Sequence, residues 1–231
     1  MRSSIWHPFF MVLTASTLLG CGGDDSHPAS AWIGKTFLLD RPPTSRWVEP
    51  KKSSGGAMGD YVPQFLIGVA AGSGDNLNIT LTTVLDGVQD KCSPTTEVTV
   101  SGTSYPDVQI TAASVPMHLT ETDPDRAKVV RTTAHDVTLK DILPGRTETA
   151  ATGELIATLD MAEAYPLFFL LTDPTPDSVC AAFADADVIC QTCTFNSQPY
   201  CLTFRAVQLA ASESSTPVQK ISSSDIGSDC P

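Results

Sequence analysis

The sequence predicts a mostly β protein: an antiparallel β-barrel or β-sandwich of about nine strands, with one or two short helices before the last strand. Three observations carry this. Apolar residues recur with a period of two along most of the chain, which marks strands with one buried face. Gly, Pro, Asn and Asp punctuate these runs at short intervals, so successive strands are joined by turns. Helical spacing is confined to 160–188, ahead of one last alternating run. A closed barrel leaves no exposed edge, which favours it over the sandwich.

Order is expected to begin at Trp32. Residues 65–71 form a continuous apolar run, as in a strand covered on both faces. In 76–85, Leu77, Ile79, Leu81 and Leu85 point one way, broken only by Thr83, while Asn78, Thr80 and Thr82 point the other. Val98 alternates with its neighbours, as does Val100, and Val108 and Ile110 stand against Asp107, Gln109 and Thr111. At Ser114 the apolar set slips by one residue to Val115, Met117 and Leu119, the sign of a bulge or tight turn. Val137 and Leu139, then Leu155, Ala157 and Leu159, give two more strands. Leu143-Pro144-Gly145-Arg146 between them has type II turn chemistry, making 133–161 a hairpin. Residues 160–171 suit a short helix with Pro166 in its first turn. Residues 176–188 suit a second one, capped by Thr175 or Asp177, with Val179, Ala182, Phe183 and Ala186 as its apolar stripe. Residues 200–209 return to strand, and the Ser-rich tail from Ala211 is expected to be loose unless Cys230 pins its end.

Lys and Arg number 14 against 26 Asp and Glu, a net charge of −12, so nucleic acid is excluded as a main partner. Apolar residues at 42% can build a core in one domain, expected to span 32–210. Ahead of it, Met1-Arg2 supplies a positive charge, Phe9 to Leu19 an apolar stretch, and Leu18-Leu19-Gly20-Cys21 closes the segment. Charged start, apolar middle and small residue at the cut make 1–20 a signal peptide. The tetrapeptide resembles the lipobox of bacterial lipoproteins. That resemblance implies cleavage before Cys21, acyl chains on Cys21 inserted in the lipid bilayer, and 21–31 as a flexible tether. Gly22 after the cysteine points to the outer membrane. Trp32-Ile33-Gly34 carries the lipocalin Gly-x-Trp residues in reversed order and transfers no residues.

Seven cysteines leave one unpaired, and lipidation of Cys21 removes the odd one. Cys92, Cys180, Cys190, Cys193, Cys201 and Cys230 then allow three disulfides in 15 connectivities, which an oxidising compartment would preserve. Cys190-Gln191-Thr192-Cys193 is followed by a loop, Phe195-Asn196-Ser197-Gln198-Pro199, and no His occurs after 135. Structural disulfides therefore fit better than redox or zinc chemistry.

No catalytic motif, metal site or cofactor is expected. The strand pattern turns His135 inward with Val137 and Leu139, as a core residue or the base of a hydrolase with no identified nucleophile. His118 alternates with Met117 and Leu119 toward the polar side, as an exposed residue. Arg41, Arg46, Lys51 and Lys52 cluster around Trp47 in an otherwise acidic chain, so Arg46, Trp47, Lys51 and Lys52 form a possible binding loop. Tyr165 to Leu171 is the most apolar run of the mature chain and reads as core packing. The expected role is a non-catalytic, membrane-anchored binding module for an apolar ligand or an envelope protein partner, or else a structural component of the envelope.

Overall fold

The computed structural model describes residues 29–40, 46–49, 63–85, 87–104, 107–120, 128–144, 153–168, 173–185 and 187–230. These contain ten strands: β1 (Thr36–Asp40), β2 (Arg46–Glu49), β3 (Phe65–Ala71), β4 (Asn76–Leu85), β5 (Val88–Gln89), β6 (Thr96–Ser101), β7 (Gln109–Thr120), β8 (Val129–Lys140), β9 (Gly153–Asp160) and β10 (Cys201–Ser214). The count exceeds the expected nine through very short strands such as β5. All pairings are antiparallel.

Around the sheet the strands run β6-β4-β3-β1-β10-β9-β8-β7. Read as a circle, this is chain order, an up-and-down meander in which the last strand returns to pair with the first. The sheet curls into a half-barrel, and its two ends, β6 and β7, meet along a seam. Among the described residues no backbone ladder joins them; Thr96 Oγ1 instead donates to the Ser114 carbonyl at 3.1 Å. β1 and β2 lie end to end along one edge of β10, at Ala210–Ser214 and Arg205–Val207.

The concave face holds the core. Ile67, Ile79, Leu81, Ile110, Val115, Val137 and Leu139 have no solvent exposure. At its centre a void of about 10 Å3, lined by Phe65, Met117, Ala134, Leu155, Ala157, Leu159 and Phe204, is no larger than one water.

Two kinks decide which side chains face inward. On β7 the buried set passes from Ile110 and Ala112 to Val115, Met117 and Leu119, the slip expected at Ser114. Opposite it, Asp136 on β8 has φ +50°, and the β8–β9 register shifts between His135 and Thr138. The inward residues of β8 are therefore Ala134 and then Val137 and Leu139, and the expectation of an inward His135 is corrected. Its ring lies outside, stacked on Phe195 with centroids 3.5 Å apart. A third kink, Gln208 at φ +60°, sits where β10 leaves β9 and takes up β1.

Asp160 caps α1 (Met161–Ala164) by accepting from the Ala162 N–H at 2.8 Å, and Pro166 lies in the 3-10 turn that follows. α2 (Pro176–Ala184) opens with a capping box between Thr175 and Ser178. Val179 and Phe183 are its buried residues, Phe183 packing edge-on to Phe168; Ala182, expected in the stripe, is exposed. Among the described residues no helix is long and apolar enough to cross a membrane.

The tail is not loose. β10 extends to Ser214, and residues 218–221 then run as a strap over the outer face of the sheet. Val218 lies over Gly68, whose missing Cβ would stand 3.1 Å from the Val218 Cβ. The Gln89 amide donates to the Gln219 carbonyl at 2.7 Å and its oxygen accepts the Gln219 N–H at 2.8 Å. The Thr95 N–H donates to the Ile221 carbonyl at 2.9 Å, and Lys220 pairs with Glu97. The Cys92–Cys230 disulfide closes the strap.

Candidate functional site

Two places concentrate chemistry outside the core. The first lies where the loop after β5 crosses the seam and covers the outer face of β7. Asp90, Ser93 and His118 are buried there. Asp90 is held by its own N–H, which donates to the Thr83 carbonyl at 2.8 Å, and its Oδ1 accepts from the Cys92 N–H at 2.8 Å. Its Oδ2 lies 2.8 Å from His118 Nδ1, and Ser93 Oγ lies 3.1 Å from that same nitrogen. Arg131, opposite His118 in the β7–β8 register, donates to the Cys92 carbonyl at 3.1 Å.

Burial opposes ionisation of Asp90, but hydrogen bonds from His118, Ser93 and the Cys92 N–H outweigh it and hold the carboxyl below its ordinary value of 3.8. With Asp90 ionised, Nδ1 carries a proton directed at the carboxylate and is not free to take one from Ser93. A nucleophile–base–acid relay needs Ser and Asp on opposite ring nitrogens. Here both share one, and Nε2 is buried without a partner among the described residues. The cluster is a clasp fastening the seam. His118, expected to be exposed, is enclosed because this loop covers the polar side of its strand. The alternation placed it on the correct face; nothing local to β7 reveals the cover.

The second place is the segment between α2 and β10. The six cysteines pair as Cys92–Cys230, Cys180–Cys190 and Cys193–Cys201, so the two halves of the CxxC go to different partners. Two disulfides within 180–201 fix a pair of small loops, docked by Thr194 donating to Asp136 Oδ2 at 2.9 Å and Asn196 donating to Asp160 Oδ2 at 2.8 Å. They leave Ile189 72% and Phe195 39% exposed. Asp173, Asp177, Asp185 and Asp187 on the same stretch are exposed, and 147–204 contains no Lys or Arg. The surface is apolar at its tips and acidic around them.

The backbones of Arg46 and Trp47 pair with Val207 and Ala206 of β10. Lys51 and Lys52 lie outside the described residues, as do Cys21 and Gly145 of the expected turn. Of the apolar run from Tyr165, Leu167 is buried and Phe168 packs on Phe183, as core packing requires; 169–171 lie outside. Among the described residues no three His, Cys, Asp or Glu side chains stand together as metal ligands. Sequence reasoning missed Asp90 and Ser93, whose only local signal is the Asx-turn chemistry of Asp90-Lys91-Cys92. No protein-family model, curated protein or solved structure matches the chain.

Proposed function

We propose that this chain is an exported, lipid-anchored binding module that works without catalysis, presenting the stapled loops around Ile189 and Phe195 to a protein of the cell envelope. The cysteine pairing carries the reading. Six of seven cysteines close three disulfides, a pattern suited to an oxidising compartment, and the seventh is the lipobox Cys21. Two of those disulfides stiffen the loops that hold apolar side chains in water, which reduces the ordering cost of binding. A protein partner is favoured over an apolar cargo because Ile189 and Phe195 stand exposed at the surface. The acidic rim favours a partner surface bearing Lys or Arg.

A photo-crosslinking residue at Ile189 in the exported chain, with one at exposed Val88 as control, tests the reading in intact cells. A partner captured reproducibly at 189 and not at 88 supports it. Equal capture at both positions, or none, refutes it. The anchor is tested separately by the mass of the N-terminal peptide, which must carry acyl chains on Cys21 and lose them in Cys21→Ser.

A further inference from the structure

Going beyond that reading, we propose that the strap at 218–221 is exchangeable: the groove it fills accepts the same segment of a second copy of this chain, giving a strap-swapped dimer. The groove reads an extended chain mainly through its backbone. The Gln89 side chain engages both the N–H and the carbonyl of Gln219, as a neighbouring strand would. Thr95 engages both backbone groups of Ile221, taking its carbonyl with its N–H and its N–H with Oγ1. Side chains set the register: Val218 rests in the space Gly68 leaves, and Lys220 meets Glu97. A second copy presents these same residues in the same order, so it satisfies every contact without redesign.

Little else holds the strap in place. Between Ser212 and Cys230, Ile221 is the only buried residue, so specificity is high while the apolar area holding the segment is small. Such segments open ahead of the global fold. Ser214-Ser215-Thr216-Pro217, exposed except for half-buried Ser214, joins it to β10 and can serve as the hinge that swapping requires. The Cys92–Cys230 disulfide closes the strap within one chain, so exchange belongs to the state before that bond forms or after it is reduced.

Two complementary variants provide the test, both carrying Cys21→Ser so that no other thiol competes. Cys92→Ser leaves Cys230 free, and Cys230→Ser leaves Cys92 free. Mixed with oxidised glutathione as the two-electron acceptor, the two thiols lose their protons and form one Sγ–Sγ bond, while the glutathione disulfide becomes two thiols. Exchange predicts a covalent heterodimer in the mixture, with Cys92 joined to Cys230 by peptide mapping, and its absence from either variant alone. A mixture yielding no more dimer than the separate samples overturns the proposal. If a variant does not fold, hydrogen exchange on the unmodified chain under mild reductant decides. The Thr95, Gln219 and Ile221 amides must exchange before those of Ile79 and Leu81; exchange of all five together overturns the proposal.

Discussion

Replacing His118 with Ala removes the donor that lies 2.8 Å from Asp90 Oδ2 and leaves that carboxylate fully enclosed. Loss of one member of a buried pair costs about 3–5 kcal/mol, because the remaining charge stays desolvated. Asp90 retains its bond from the Cys92 N–H, which places the expected loss near the lower end, about 3 kcal/mol. For a chain of this size that lowers the melting temperature by roughly 6–12 °C. Asn at 118 puts an amide donor near the position of Nδ1 and has nothing in place of the orphaned Nε2, so His118→Asn should recover most of the loss. The assay is denaturant unfolding at neutral pH of the parent, His118→Ala, Asp90→Ala and the double variant. The double variant should cost clearly less than the two single losses together, because no charge is then left stranded. Additive losses, or a His118→Ala loss below about 1 kcal/mol, would refute the clasp.

The same clasp sets an acid limit. The Asp90 carboxyl is held below its ordinary value, so its contribution is fully present above pH 3.8 and disappears as the pH falls through the lower folded value. Between pH 4 and 2, Asp90→Asn should therefore lose less stability than the parent, as followed by acid unfolding. Removing the Cys92–Cys230 bond, which spans 138 positions, should cost about 5 kcal/mol on the chain-entropy account, against about 2–3 kcal/mol for Cys180–Cys190; paired Ser variants in denaturant compare them. Gly68→Ala places a Cβ against Val218 and should speed hydrogen exchange at 219–221 while leaving Ile79 and Leu81 protected. Ile189→Asp should change stability by less than about 0.5 kcal/mol yet abolish capture by a photo-crosslinking residue placed at Phe195, and unaltered capture would move the binding surface elsewhere.

Strands whose alternation is broken at most once were legible in the sequence. β4 spans Asn76–Leu85, the stretch its alternation marked, and the slip at Ser114 is visible as two apolar sets out of phase. The matching slip on β8 was not legible, because Asp136 takes a left-handed backbone that Asp tolerates without announcing it. One inserted residue reverses every side chain upstream, and that is why His135 was placed on the wrong face. The clasp was hidden for a different reason. Asp90 and His118 meet only once the ends of the sheet come together, and no local pattern carries that information. The tail misled through composition: Ser-rich segments read as loose, yet 218–221 are held through backbone groups that composition does not report.

The pairing of first strand with last has a consequence for the order of assembly. β3 and β4 are joined across 72–75, and β7, β8 and β9 are neighbours in sequence as well as in the sheet, so these strands can zip as soon as they are made. β1 is made before the other strands but has only β3 to rest on until residues 210–214 arrive to flank its other side. Until then one edge of β1 is bare, an open template for any passing strand. Closure by such distant partners is slow. The most vulnerable moment in the life of this protein is therefore the interval before residues 210–214 join the sheet.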